Sequence, residues 1–466
     1  MMRERNARSQ PYDTIVIGSG CGLNIVDETL AHGLKVALVD KGPPGGTCPN
    51  LGCIPSKILI FAADRIREIQ EAKKLGITAE IKNIDFNGIL ERMRESVRRG
   101  QEEIREGIAK ASNLDFYEGE GHFTGAYTLE VNGEQLKGKN IFIAAGSRPL
   151  IPPMKGLDGV DYLTNETVLE LRKRPESLII IGGGYVAVEY GHFFAAMGTR
   201  VTILEMADRL VLSEEPEIAA RLQQELAKRM EVHTGLRAEE VKGNGRGVTV
   251  TVSDARTGGR RDFTAGQVLV AVGRRSNADI LTVEKTGVEV DKKGYIKVND
   301  YLETTKKNIY AVGDINGQEM FTHVANAEAA LAAHNVLHGA RIKMDYGAAP
   351  HAVYSHPQIA SVGLTEERAR KKYKVLVGKT MYSSVAQGEA MMEENGFAKA
   401  VVEAETEKIL GFHIIGPYAP ILIQEVINVM AAKGNTNHIQ TGMHIHPALP
   451  ELIVKTLNNL EEAKQT

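Results

Sequence analysis

The sequence predicts an α/β fold built from two copies of a parallel strand, helix, strand unit, followed by a third, α+β domain. Three observations predict it. An apolar run, Thr14-Ile-Val-Ile, enters a glycine turn, Gly18-Ser-Gly20-Cys-Gly22, and after a helical stretch the chain returns in Val36-Ala-Leu-Val-Asp40. The same order recurs in Leu178-Ile-Ile-Ile, Gly182-Gly-Gly184-Tyr-Val-Ala187 and Val201-Thr-Ile-Leu-Glu205. From about Tyr346 onward a new pattern of strands and long helices begins, without such a turn.

Each short apolar run bounded by glycine reads as a buried parallel strand. The glycines let the backbone approach a pyrophosphate, which sits on the following helix N-terminus where free N–H groups and the dipole favour an anion. An acid closing the second strand accepts hydrogen bonds from a ribose hydroxyl. Gly18 to Asp40 spans 22 positions and Gly182 to Glu205 spans 23, close to the roughly 20 of the Rossmann dinucleotide-binding unit. Two bound dinucleotides are therefore expected, held at Gly18, Gly20, Gly22 and Asp40 and at Gly182, Gly184 and Glu205. The first copy has Leu23 where the third glycine falls, with Gly22 one place early, so looser helix packing is expected there. Residues 63–112, with Ile66, Ile69, Leu75, Ile89, Leu90 and Met93 at helical spacing, read as surface helices. Residues 116–145 read as short strands around turns such as Asn132-Gly133.

A chain of 466 residues is too long for one core and suggests two to four domains. Its 43% hydrophobic and 25% charged content is that of a soluble globular protein. A formal net charge of −3 with scattered Lys and Arg gives no footprint for nucleic acid or an anionic membrane, which favours a small-molecule partner. The apolar stretch from Leu178 to Val188 is too short to span a bilayer. The charged segment 1–13 lacks the apolar core of a signal peptide, so a cytoplasmic location is expected.

Three cysteines exclude a secreted disulfide scaffold. Cys48 and Cys53 lie five apart in Gly45-Gly-Thr-Cys48-Pro-Asn-Leu-Gly-Cys53-Ile-Pro-Ser-Lys57, ahead of a helix. In a regular helix Cα atoms five apart are separated by roughly 8.6 Å, whereas a disulfide requires less than about 7 Å. The turn must be distorted, and Pro49, Gly52 and Pro55 are the residue types to distort it. A thiol near a helix N-terminus is also expected to have a depressed pKa, as exchange chemistry needs. Two structural thiols, or a metal site, are the alternatives; a metal needs further ligands nearby, and no metal site is expected. Cys21, in the first glycine turn, reads as a small residue fitted under a cofactor, with no role of its own.

The segment Gly-Gly-Thr-Cys-x-x-x-x-Cys-Ile-Pro-Ser-Lys resembles the active-site signature of the pyridine nucleotide-disulfide oxidoreductases, which include dihydrolipoamide dehydrogenase, glutathione reductase and mycothione reductase. The resemblance runs over essentially the whole chain. It implies an FAD-binding domain at 1–150, an NAD(P)-binding domain at 151–273, a second part of the FAD or central domain at 274–345, and a dimerisation domain at 346–466. Ala144-Ala-Gly146-Ser-Arg148 and Ala271-Val-Gly273-Arg274 are similar to the crossover segments between the FAD and NAD domains. Asn308-Ile-Tyr-Ala-Val-Gly-Asp314 resembles the second FAD fingerprint, placing Asp314 at the ribityl chain. Lys57 and Glu189 match the family's ion pair beside the flavin, and Tyr185 the residue over the nicotinamide site. In His444-Ile-His446-Pro-Ala-Leu-Pro-Glu451, the resemblance makes His446 the acid–base and Glu451 its orienting carboxylate, both supplied across a homodimer to the other subunit's Cys48.

The implied cofactors are FAD and NAD, with NADP disfavoured because Glu205 would repel a 2′-phosphate and Met206-Ala-Asp-Arg209 supplies no basic cluster. Ala187 in place of the third glycine, a trait of NADPH users, points the other way. The implied partner is a small disulfide or dithiol. Glutathione is disfavoured because Asn24-Ile-Val-Asp-Glu28 lacks an arginine in the first helix, and no cysteine follows Cys53 to serve as the C-terminal pair of mercuric or large thioredoxin reductases. The leading expectation is a dihydrolipoamide dehydrogenase-type enzyme of the mycothione reductase-like branch. The alternative is a reductase of another low-molecular-weight disulfide, like mycothione reductase, contributing to redox homeostasis. An NADH oxidase, or a docking subunit of a 2-oxoacid dehydrogenase complex, are readings of other classes.

Overall fold

The computed structural model describes residues 11–245 and 247–462; most of the charged segment set against a signal peptide, residues 1–10, lies outside the described residues. The chain divides into two compact units. The first comprises the chain up to Pro55, Arg92–Leu150 and Arg274–Met344, and the second Ser56–Glu91, Ile151–Gly273 and the chain from Asp345.

In the first unit, β1 (Tyr12–Ile17), α1 (Gly22–Ala31) and β2 (Val36–Asp40) form the first strand, helix, strand unit. The sheet runs Leu114–Glu118, β2, β1, Glu134–Ile143, Thr128–Val131, Gly121–Gly125, and Ile309–Ala311 also pairs with Glu134–Ile143. β1 is parallel to both neighbours, with Ile15 opposite Ala37 and Ile141. The run Ile15, Val16, Ile17 is buried because both faces of this sheet are covered. The expected Asn132-Gly133 turn is present, with φ of 51° and 79°, the left-handed pair that a two-residue hairpin requires.

In the second unit, the parallel order is Glu231–His233, Arg200–Leu204, Ser177–Ile181, Gln267–Val270, with the helix Tyr185–Ala196 between the two central strands in sequence. A three-stranded antiparallel sheet, Leu236–Gly243, Val248–Asp254 and Arg260–Ala265, accompanies it. The C-terminal part is an antiparallel sheet ordered Pro350–Val353, Ile359–Gly363, Ile409–Ile415, Phe397–Glu403, Val375–Met381, Glu461–Glu462. Short helices pack on its core around Phe412, Ile414, Leu452 and Ile453.

The helical reading of residues 63–112 corresponds to α3 (Cys53–Glu71), which follows the short helix α2 (Thr47–Leu51), and to the helix Phe86–Lys110. Ile66, Leu90 and Met93 are buried, whereas Ile69 and Leu75 are exposed along with Ile54 and Phe61. Helical spacing identifies a stripe but not what covers it. Among the described residues no helix is long and apolar enough to cross a membrane.

Candidate functional site

The first glycine turn is fixed by backbone crowding. Gly18 has φ +102°, and a Cβ there would lie 2.3 Å from the Ala144 carbonyl oxygen. At Gly22 a Cβ would lie 2.7 Å from Val16 Cγ1. This corrects the expectation of looser packing: Gly22, one place early, lets α1 lie directly on β1. Asp40 ends β2 with Oδ2 accepting from Ser19 N at 2.6 Å and Ser19 Oγ at 2.5 Å, which ties the acid to the turn. Gly20 faces Gly46, where a Cβ would come within 2.7 Å of Gly20 Cα. The cysteine segment therefore starts against the glycine turn.

Cys48 lies in α2 and Cys53 begins α3. Between them Gly52 takes φ −130°, ψ −114°, and the helix breaks there. A Cβ on Gly52 would lie 3.0 Å from the Thr47 carbonyl oxygen and 3.3 Å from Cys48 Cα. Of the three residues expected to distort the turn, Gly52 alone marks the break. Pro49 and Pro55 each occupy the third position of a helix, where the missing N–H has no partner to lose. Asn50, buried between the cysteines, donates from Nδ2 to the carbonyls of Pro43, Pro44 and Gly46 at 2.9–3.2 Å and accepts from Gln101 Nε2 at 3.0 Å. It holds the loop closed.

Both cysteines are free thiols, hydrogen-bonded to each other. Thr322 Oγ1 lies 3.3 Å from Cys53 Sγ. The Cys48 thiol is held above its ordinary pKa, first by its hydrogen bond with Cys53 and then by burial; hydrogen bonds from Thr322 and the Cys53 N–H act the other way and are outweighed. This corrects the expected depression of the thiol pKa. A helix N-terminus stabilises an exposed thiolate, but here the neighbouring thiol and desolvation stabilise the protonated form. Burial pushes the Cys21 thiol up to about 12, which suits a residue with no role as nucleophile.

Also in the first unit, Gly146 takes φ +65° before the short strand Ser147–Pro149. Asp314 lies in a single 3₁₀ turn, Gly313–Asn316, with Oδ2 accepting from Ser147 Oγ at 2.6 Å. Arg274 Nε donates to the same Ser147 Oγ at 2.6 Å and stands 3.6 Å from Asp314. Fully buried Glu328 accepts from Gly313 N at 2.6 Å and Asn316 Nδ2 at 2.9 Å, pinning this turn.

In the second unit, Gly182 has φ +113° and a Cβ there would lie 2.3 Å from the Ala271 carbonyl oxygen, the same arrangement as at Gly18. Gly184 precedes the helix that Tyr185 begins, and Gly273, with φ +130°, follows the strand Gln267–Val270. Glu205 follows the strand Arg200–Leu204 and accepts from Ala207 N at 2.6 Å, with its side chain against Gly183. Arg209 turns away into its own loop, donating to the Leu212 carbonyl at 3.3 Å.

Lys57 Nζ lies 2.6 Å from Glu189 Oε2, whose other oxygen accepts from Tyr354 N at 2.9 Å. Glu189 is buried and Lys57 partly exposed, so the buried carboxylate is compensated by its partner's charge. Tyr185 OH donates to Glu214 Oε1 at 3.0 Å, and its ring stacks on His351. Burial works to raise the Glu214 pKa, but the hydrogen bond and charge of His351, 2.8 Å away, hold it below the ordinary value. His446 Nδ1 lies 2.9 Å from Glu451 Oε1. The Ala448 N–H donates to Glu451 Oε2 at 3.1 Å, so both carboxylate oxygens are engaged. The His446 side chain is 72% exposed.

The predicted residues thus gather within the first unit around the glycine turn and thiols, and within the second as the Lys57–Glu189 and His446–Glu451 pairs. Sequence reasoning missed Asn50, Ser147, Thr322 and Glu328. Asn50 stands in the quoted motif without a chemical signature, and Thr322 stands in no motif and carries no sign of contact with a cysteine.

The fold and the thiol pair define a flavoprotein disulfide oxidoreductase. The family model for pyridine nucleotide-disulphide oxidoreductases matches residues 12–329 and that for their dimerisation domain residues 349–457, and the chain belongs to this family. It is 35% identical to mycothione reductase of Mycobacterium tuberculosis, over 97% of this chain and all of that one. It is 36% identical to dihydrolipoyl dehydrogenase of Geobacillus stearothermophilus, over 95% of each. Among solved structures, the HOCl-induced flavoprotein disulfide reductase RclA from Escherichia coli superposes with a TM-score of 0.85 at 26% identity, covering 96% of this chain and 99% of that one.

Proposed function

We propose that the chain is a cytoplasmic, homodimeric NADH:disulfide oxidoreductase of the dihydrolipoamide dehydrogenase type, acting on a small dithiol or disulfide. The carrying observation is the thiol pair: two cysteines brought together across the Gly52 break and hydrogen-bonded to each other. The family uses FAD and a pyridine nucleotide, and the residues present fit both. Gly18 and Gly182, both at positive φ, press their turns against the Ala144 and Ala271 carbonyls in the same way, and carboxylates close the following strands at Asp40 and Glu205. Gly20, Gly22, Gly146 and Asp314 would complete the FAD site, and Gly184, Tyr185 and Gly273 the nicotinamide nucleotide site. Bound FAD supplies a two-electron relay between nicotinamide and disulfide.

The protein's part is thiol exchange. Cys48 attacks one sulfur of the substrate disulfide, and the departing thiolate takes a proton from His446 of a second copy of the chain. Cys53 then displaces the bound half-substrate from Cys48, leaving two substrate thiols and a Cys48–Cys53 disulfide; the reverse sequence oxidises a dithiol. Because Cys48 is held above the ordinary thiol pKa, little thiolate exists at neutral pH without a base, and that is the service an imidazole provides. Glu451 orients the ring. Lys57, one helical turn beyond Cys53 on α3, pairs with buried Glu189, and this is the pair that the family resemblance would set beside bound FAD.

NADH is the proposed nucleotide because Glu205, which closes its strand and accepts from Ala207 N, would receive the ribose hydroxyls and repel a 2′-phosphate, while Arg209 is turned into its own loop. A reductase of another low-molecular-weight disulfide is the second reading, favoured by the identity to mycothione reductase over that enzyme's full length. A panel of oxidised lipoamide, bis-thiol sugars, cystine and coenzyme A disulfide, each with NADH and NADPH, tests both. The proposal expects highest kcat/KM with lipoamide and NADH. A lower KM for NADPH overturns the nucleotide, and preference for a sugar disulfide overturns the substrate. Oxygen turnover exceeding lipoamide turnover would indicate an oxidase, and near-stoichiometric co-purification with a 2-oxoacid dehydrogenase would indicate docking. Cys48→Ser should abolish disulfide turnover, about a thousandfold or more, while flavin reduction by NADH persists; full turnover in that variant overturns the assignment.

A further inference from the structure

We propose that Glu28, His32 and His338 form a binding site for a borderline divalent transition-metal ion, such as Zn²⁺, on the first unit. One ligand atom from each lies within 4.8 Å of the other two. His338 Nε2 is 3.9 Å from Glu28 Oε1, and the His32 and His338 rings are 5.0 Å apart. Ligands about 2.0–2.1 Å from a tetrahedral ion stand roughly 3.4 Å from one another, so closure by about 1 Å is needed. The side chains are largely exposed and free to make it.

Two features beyond proximity point to a cation. His32 Nδ1 lies 2.9 Å from the Glu28 carbonyl oxygen. In the tautomer that donates this hydrogen bond, Nε2 carries the lone pair a metal needs, and such a backbone carbonyl is the usual outer partner of a ligating histidine. The site also lies where two helices end: His32 caps α1, and His338 is the last residue of the helix Thr322–His338. Carbonyls and the negative dipole ends of both helices therefore favour positive charge there. The helices are held in register by Ile25, Val26, Ala329, Ala332 and Ala333 in one buried cluster, so the ligands are carried on a rigid base. His334, with its ring 4.5 Å from that of His338, stands next to this pair, and water would complete the coordination. Imidazole ligands select Zn²⁺, Co²⁺, Ni²⁺ or Cu²⁺ over Mg²⁺ or Ca²⁺.

A metal here staples together two helices whose opposite ends carry the Gly18–Gly22 turn and Thr322. The ligands come from segments far apart in the sequence, so no spacing motif announces them. The test is calorimetric titration of the FAD-loaded enzyme with Zn²⁺, with Cys48 and Cys53 oxidised so that neither thiol can bind. One Zn²⁺ per chain is expected, with a raised Tm, and binding weakened at least tenfold by His32→Ala or by His338→Ala. Co²⁺ should give absorption bands to the red of the flavin that His338→Ala removes. Mg²⁺ and Ca²⁺ should leave Tm unchanged. Absence of Zn²⁺ binding, or binding unaltered in the His32→Ala/His338→Ala double variant, overturns the proposal.

Discussion

Two histidine–carboxylate pairs in the second unit have the same spacing and opposite surroundings. His192 Nε2 is 2.9 Å from Asp64 Oδ1 with the ring fully buried, and His446 Nδ1 is 2.9 Å from Glu451 Oε1 with 72% of the side chain exposed. At His192, burial acts first to disfavour the charged ring, Arg229 adds to that, and the pKa falls to about 4 despite the carboxylate. That ring is neutral across the physiological range and serves as a fixed hydrogen-bonding strut. His446 is open on the single chain, and Glu451 is itself held below its ordinary value, first by the hydrogen bond to His446. Equal distances thus go with opposite surroundings: one ring is enclosed by its own chain, and the other is left facing outward, where the proposed function puts a second copy.

The largest effect expected from breaking this contrast is on turnover. His446→Gln should lower disulfide turnover by about 10²–10⁴-fold, the usual worth of general acid–base catalysis. Mixed dimers sharpen the point. Refolding inactive His446→Gln chains with inactive Cys48→Ser chains should restore about a quarter of native activity, since half the dimers are mixed and each carries one intact site. No recovery would mean that each chain supplies its own histidine.

His192→Ala should do the reverse, leaving kcat within severalfold while lowering stability by about 2–4 kcal/mol through the cavity and the unpaired Asp64 and Arg229. Chemical denaturation checks it. In the native protein this histidine stays neutral while the unfolded chain takes up a proton below 6.5. Its contribution is therefore complete above pH 6.5 and is lost as the pH falls towards about 4. The alanine variant should lack that part of the acid destabilisation.

Legibility in the sequence follows the range of the interaction. The two strand, helix, strand units were legible because their glycines and closing acids lie about 20 positions apart and act through local backbone geometry. The closeness of Cys48 and Cys53 was legible as a distorted turn, but which residue distorts it was not, since Gly52 and the prolines carry equivalent local signals. The direction of the Cys48 pKa was illegible, because a helix N-terminus is a sequence feature while burial and a thiol partner are tertiary ones. Thr322 reaches Cys53 across 269 positions, and the His192–Asp64 pair joins residues 128 apart. His446 stood out only through the family resemblance, since by spacing alone it is one of 13 histidines in the chain.

The smallest and most discriminating change is Glu451→Gln. A glutamine oxygen can still accept from His446 Nδ1, so the ring keeps its tautomer and orientation, while the negative charge that favours imidazolium is gone. Turnover should fall by only about tenfold, far less than on removing the histidine. In the native enzyme the hydrogen bond to His446 holds the Glu451 carboxyl below its ordinary value, so the charge that the variant removes is present at neutral pH. A loss as deep as that of His446→Gln would show that the glutamate acts by positioning Ala448 and the backbone around His446, not by its charge.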